Sequence, residues 1–213
     1  MKIAYNSSIF FLQKHGGISR YFCSIIKEFL EDNKSIKVFS PIFKNDYLLN
    51  VPKKYRSGFY IPRYPVPPFL KNIVDQIAFK QIQRSNFDIV HDTYYSENLL
   101  DYENKRKIIT VYDLIHEKFP DLYKNKNFEK KKKIINCSDE IICISENKKN
   151  DLIKYYNIEE KKINVIYLGC NHIQKNFHTV EQNNYVIPKN FIFFVGSRLK
   201  YKNFNLLLNT FHM

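Results

Sequence analysis

No stretch of this chain approaches the roughly 18 consecutive apolar residues that a bilayer-spanning helix needs, so nothing in it reads as a membrane span. The first residues, Met1-Lys2-Ile3-Ala4-Tyr5-Asn6, lack the apolar core and small-residue cleavage site of a secretion signal. A cytoplasmic protein is the expectation. Cysteine is sparse: Cys23, Cys137, Cys143 and Cys170 stand apart with no C-x-x-C pair, which argues against zinc and for small buried thiols in a reducing compartment. No G-x-G-x-x-G fingerprint occurs, so a dinucleotide cofactor is not implied. No G-x-S-x-G elbow surrounds Ser145, and a helix cap explains that serine better than a nucleophile does. Recognition-helix, zinc-finger and RNP-type signatures are missing, which speaks against nucleic acid as a partner. No internal repeat is visible.

Acidic residues are also in deficit, 21 against 34 Lys and Arg, for a formal charge of +13. A basic surface can draw in anionic membranes or acceptors. Lys and Asn are spread along the whole chain, however, and the densest run, Lys130 to Lys133, fits the solvated face of a helix. A plain solvated surface is the simpler reading. Peripheral contact with the inner face of a membrane stays open.

What is present is apolar and periodic. Residues 2–5, 36–42, 88–91, 108–112, 140–144 and 164–167 read as strands, several of them continuous runs of Ile and Val. Helical stretches are expected near 18–30, 69–84, 129–137 and 147–156. Near-continuous apolar strands separated by helices point to an α/β fold, a Rossmann-like parallel sheet covered on both faces. Residues 43–68, rich in Pro, Tyr and Lys, read as an extended excursion. Residues 171–190 read as a linker. After them, Phe191-Ile-Phe-Phe-Val-Gly196 is expected to be a buried strand and Leu206 to Phe211 a helix, the start of a second domain. The organisation expected is thus a domain over 1–170, a linker over 171–190, and the first strand and helix of an incomplete domain over 191–213.

Ligands of such sheets sit at the carboxyl ends of the strands. That directs attention to residues 6–17, 91–98 and 113–120. Gly16-Gly17-Ile18-Ser19-Arg20-Tyr21 opens the first long helix, where close backbone approach and free N–H groups favour anions; a tight turn explains the glycines as readily. Asp113, His116 and Glu117 follow a strand and suit acid–base or hydroxyl-orienting work; a turn cap and a surface histidine are the plainer alternative. His91 follows another strand and could line the same cleft, and His15 stands beside the glycines.

Taken in order, Gly-Gly-Ile-Ser-Arg-Tyr, Val-Tyr-Asp-Leu-Ile-His-Glu-Lys-Phe-Pro, Ile-Cys-Ile-Ser-Glu and Ile-Asn-Val-Ile-Tyr-Leu-Gly resemble the N-terminal domain of family 4 glycosyltransferases, which have the two-domain GT-B fold. Phe-Val-Gly-Ser-Arg-Leu-Lys-Tyr-Lys-Asn-Phe resembles the opening of that family's donor-binding domain. The resemblance runs from Lys2 to Phe211. It implies transfer of a sugar from a nucleotide-sugar donor to a glycan or lipid-linked acceptor hydroxyl, with retention, in cell-surface glycan assembly. The nucleotide-sugar is a co-substrate, and neither a metal nor another cofactor is implied.

By the same resemblance, Asp113 and His116 stand at the reacting centre. Gly16, Gly17, Arg198 and Lys202 meet the donor diphosphate, while Arg20, His91 and Glu117 lie on the acceptor side. Two departures qualify it. Many members carry His before the aspartate where this chain has Tyr112, and the family's E-x7-E segment does not occur after Lys202. The chain by itself is therefore expected to be inactive, and a partner chain supplying the donor domain is the alternative.

Overall fold

The computed structural model describes residues 1–62, 68–122, 128–169, 188–196, 198 and 202–211. They fall into two compact units, Met1–Leu114 with Asn127–Tyr167, and Ile115–Lys126 with Leu168–Met213.

The first unit is built on a seven-stranded sheet. Its strands are β1 (Lys2–Tyr5), β2 (Ser35–Phe43), β3 (Arg56–Tyr60), β4 (Ile89–Asp92), β5 (Arg106–Val111), β6 (Glu140–Cys143) and β7 (Ile163–Val165). The spatial order is β3-β2-β1-β4-β5-β6-β7, and every neighbouring pair is parallel. The order reverses between β1 and β4, which opens a crevice beyond their carboxyl ends. The fold is the Rossmann-like α/β sheet expected from the sequence.

Alternation along each strand feeds two cores. Ala4, Phe39, Val90, Ile109 and Val111 join Ala78, Ile82, Ile134, Ile135 and Leu152 in one cluster. Ile3, Tyr5, Val38 and Ile89 join Phe10, Phe22 and Ile26 in the other. The helices supplying the first are α3 (Pro68–Gln83), α5 (Phe128–Asn136) and α6 (Glu146–Tyr156); those supplying the second are α1 (Ser8–Leu12) and α2 (Gly17–Glu31). Ser145 caps α6, its hydroxyl accepting from the Lys148 N–H at 3.4 Å, and Asn157 closes it in the left-handed conformation.

Three expectations need correction. The excursion over 43–68 contains β3, which pairs with β2 through a register shift between Phe39 and Ile42. Gly58 makes that pairing possible. Its φ is +100°, and a Cβ there would stand 1.9 Å from the Ser40 carbonyl oxygen. Pro41 is tolerated at the shift because the ladder is broken there. Second, residues 6–17, where no helix was expected, contain α1, whose Ile9, Phe10 and Phe11 are buried. Five residues are too few to show a helical period. Third, Phe191 to Val195 form no strand, and Phe191, Ile192, Phe193 and Val195 are exposed. A strand needs a paired neighbour to persist, and this segment has none among the described residues.

The second unit contains the short helix α4 (Ile115–Lys118), a 3₁₀ turn over Pro120–Leu122, and α7 (Phe204–Phe211), the helix expected there. The Phe194 and Phe204 rings lie 4.7 Å apart, and the Arg198 guanidinium sits 4.7 Å from the Phe204 ring centre. Residues 63–67 of the proline run, and 171–187 of the expected linker, lie outside the described residues.

Candidate functional site at the carboxyl edge of the sheet

The turn from β1 to α2 is held by side chains on both sides. Gly16 caps α2 and Gly17 begins it. Gln13 folds over this helix end, its Oε1 accepting from the Ser19 N–H at 3.2 Å, and the Ser19 hydroxyl donates to the Gly16 carbonyl at 3.1 Å. The stretch before the glycines is tied to the turn after β2. Asn45 Nδ2 donates to the carbonyls of Gln13 and Lys14 at 2.9 and 3.2 Å. Asp46 accepts from His15 Nε2 at 2.7 Å and from the Tyr60 hydroxyl. His15 is therefore engaged within the fold. Gly17 is exposed, and beyond its own helix nothing lies within 4 Å of where a Cβ would stand, so the side of the helix start that Gln13 does not cover faces outward. Arg20 is exposed one turn further on.

A buried polar network fills the switch point. Asn6 Nδ2 donates to Asp92 Oδ1, and Asn6 Oδ1 accepts from the Thr93 N–H at 2.9 Å and its hydroxyl at 2.6 Å. Asp92 Oδ2 accepts from the Ser96 N–H at 3.0 Å. Thr93 Oγ1 accepts from the Ile9 N–H at 3.1 Å. From α3, Asp75 accepts from the Ser7 hydroxyl at 2.5 Å and pairs with Lys71 at 2.5 Å. Burial pushes the Asp92 carboxyl up to about 7, against the smaller pull of its donors Ser96 and Asn6. Sequence inspection missed Asn6, Asp75 and Thr93. The only hint was their place at strand ends or on a crossover helix.

His91 corrects an expectation. It is 5% exposed, within β4, with its ring 5.4 Å from Tyr5 and 5.1 Å from Phe22. Its Nε2 lies 2.9 Å from the Thr110 hydroxyl, and burial holds its pKa down to about 3. It is a neutral core side chain, withheld from any acceptor, because its register position on β4 faces inward.

At the end of β5, the Tyr112 ring meets Tyr21 from the first turns of α2 at 5.5 Å. That contact passes over β4 and connects the glycine turn to the strand that presents Asp113. Burial raises the Tyr112 hydroxyl far above the usual phenol range, so it stays protonated. Asp113 is half-buried, and its carbonyl accepts from Lys131 Nζ of α5 at 3.1 Å. Lys131 also stands 5.0 Å from the Tyr95 ring centre, and Tyr95 lies 5.2 Å from Tyr94.

Gly16, Gly17, Arg20 and Asp113 thus belong to one sheet edge. His116 and Glu117 lie on α4, and Arg198 and Lys202 are exposed positions near α7, all four in the second unit.

The model of the family described as Glycosyltransferase Family 4 matches residues 15–173. The chain belongs to glycosyltransferase family 4. Among solved structures, Anabaena HepE in complex with UDP and glucose aligns with a TM-score of 0.52 at 13% identity, over 80% of this chain and 45% of that one. The lipopolysaccharide outer core galactosyltransferase WaaB, in its apo form, aligns with a TM-score of 0.49 at 17% identity, over 78% of this chain and 45% of that one. No curated protein matches. The chain therefore spans less than half the length of these structural neighbours, and its family 4 match falls mostly on the unit that carries the seven-stranded sheet. No described helix of this family 4 chain is long and apolar enough to cross a membrane, and no group of three or more His, Cys, Asp or Glu side chains among its described residues could hold a metal ion.

Proposed function

We propose that this chain is the acceptor-binding half of a retaining glycosyltransferase that moves a sugar from a nucleotide-sugar to an acceptor hydroxyl during cell-surface glycan assembly. The observation that carries the reading is Asp113 at the carboxyl end of β5, joined through Tyr112 and Tyr21 to the start of α2, where Gly17 is exposed. In the transfer, the bond from the anomeric carbon to the diphosphate breaks and one to the acceptor oxygen forms. The acceptor proton leaves with the diphosphate. Asp113 orients the acceptor hydroxyl, with His116 and Glu117 as its sequence neighbours on that side. The N–H groups at Gly16 and Gly17 meet the donor diphosphate. Arg198 and Lys202 offset the negative charge that develops as it departs. The nucleotide-sugar serves as co-substrate, with no resident cofactor.

Because the chain spans less than half of its structural neighbours, it should show negligible transfer alone. Transfer at ordinary enzyme rates by the purified 213-residue chain would defeat that expectation. In an enzyme completed by a donor-binding half, Asp113→Ala should lower turnover roughly a hundredfold or more while donor binding persists. Near-normal turnover would remove Asp113 from the mechanism. The setting proposed is cytoplasmic, with peripheral contact at the inner membrane face.

A second reading has a specific observation behind it. Phe193 is 78% exposed and Phe211 67%, and Leu206 and Ile192 are exposed as well, an apolar surface suited to a partner chain that supplies the donor-binding residues. Co-purification of such a chain would favour a split enzyme or a scaffold.

A further inference from the structure

Tyr94 and Tyr95 follow β4 at the switch point, and neither enters the roles assigned above. Tyr95 has a φ of +42°, in the left-handed region that a bulky side chain rarely occupies without strain. The strain is held in place from below. The Ser96 N–H donates to the buried Asp92 carboxylate at 3.0 Å, which in turn is gripped by Asn6, so the turn over 93–96 is locked to the sheet. Strain of this kind persists at ligand clamps, where the surroundings over-determine the backbone.

The locked turn sets two rings at the carboxyl edge. They cross at 63° with centres 5.2 Å apart. Tyr95 is half-buried, backed by the Lys131 ammonium 5.0 Å from its ring centre. Tyr94 is the outer ring, 37% exposed, and the Asp113 carboxylate is close enough to add to the rise in its phenol pKa that burial begins. Lys131 reaches the backbone of Asp113 itself. One cluster therefore combines a partly exposed aromatic ring, a carboxylate and an ammonium.

We propose that Tyr94 is an aromatic platform on which the terminal pyranose ring of the acceptor stacks, beside Asp113. An aromatic face is electron-rich, and the C–H face of a pyranose is apolar and weakly electropositive, so the two associate as an edge-to-face pair does. Hydroxyls at the ring's rim then have a carboxylate to donate to and an ammonium to accept from. A platform backed by a rigid, strained turn loses little conformational freedom on binding. The inference rests on the transferase reading and adds to it that the acceptor ends in a sugar, engaged through its ring face.

The test uses the 213-residue chain and needs no turnover. Methyl glycosides of glucose, galactose and N-acetylglucosamine are mixed with it, uridine is added as a competitor, and saturation-transfer NMR is recorded with irradiation of the protein aromatic signals. Saturation of the axial ring protons of at least one glycoside is expected. It should be retained in Tyr94→Phe, which keeps the ring, and fall at least fivefold in Tyr94→Ala; Tyr94→Gln serves if the alanine variant does not fold. Three results would overturn the platform: no saturation of any glycoside, equal saturation in the folded Tyr94→Ala chain, or Tyr94-dependent saturation of uridine alone. The platform and the transferase reading fail separately. Unchanged acceptor KM for Tyr94→Ala in a completed, active enzyme sinks the platform only, whereas Tyr94-dependent glycoside saturation with full activity in Asp113→Ala sinks the mechanism only.

Discussion

Asn6 and Asp92, 86 residues apart in sequence, share a buried hydrogen bond across the point where the strand order reverses. The same amide accepts the Thr93 N–H, so one side chain satisfies a donor and an acceptor that have no access to water. The ends of β1 and β4 are pinned by it, and with them the turn that carries Tyr94 and Tyr95.

Asn6→Ala should accordingly cost about 2–4 kcal/mol, since it leaves Asp92 Oδ1 and the Thr93 N–H without their partner in the interior. Urea unfolding measures this directly. A loss below about 0.5 kcal/mol, the size expected at a surface position, would show that water reaches the network.

His91 and Asp92 are adjacent and should respond to pH in opposite senses. Burial raises Asp92 from 3.8 to about 7, so the folded chain holds a proton that the unfolded chain has released. Its contribution is full below pH 4 and is lost as pH rises towards 7. Burial lowers His91 from 6.5 to about 3, so its contribution is present above 6.5 and lost as pH falls towards 3. Between about pH 4 and 6.5 the two slopes oppose each other. Stability of the native chain should vary little through this window on their account. Asp92→Asn should expose a rise in stability with pH, and His91→Phe a fall. Urea midpoints at pH 4.5 and 6.5 for the three chains decide it; parallel behaviour of the two variants would refute the pairing.

Gly16 is replaceable in backbone terms, since its φ of 176° is ordinary extended chain. The obstacle is Gln13, whose amide oxygen would lie 2.2 Å from a Cβ at Gly16. In Gly16→Ala the glutamine must swing away and release the Ser19 N–H, at a cost of about 1 kcal/mol. Gln13→Ala should cost the same. The double variant should cost little more than either, because both remove one interaction. Additive losses would mean that Gly16 is constrained by something else.

Gly58 is a stricter case, because its positive φ and the Ser40 and Pro41 carbonyl oxygens admit no side chain. Gly58→Ala should destabilise by about 2 kcal/mol or more and loosen β3 first. Hydrogen exchange along β2 and β3 reads that order, and a protected β3 in a folded variant would contradict it.

The parallel sheet was legible because its strands are Ile- and Val-rich runs that must be buried on both faces. The start of α2 was marked by its paired glycines, and the cap of α6 by Ser145. In these stretches local chemistry and final structure agree. Short or interrupted elements were not legible: α1 is below the length of a helical period, and β3 is broken by a glycine whose purpose is visible only against the bulge in β2.

The site divides along the same line. The sequence alone determined that Gly16, Gly17 and Asp113 follow strands, and hence that they sit at a carboxyl edge. Only the tertiary structure decided that His91 points into the core while Asp92 joins Asn6, that Asp75 arrives from α3, and that Tyr94 is left outermost. Strand alternation says that neighbours face opposite ways; it does not say what covers each face. That depends on contacts between residues 68 to 87 positions apart, which are made only when the sheet assembles.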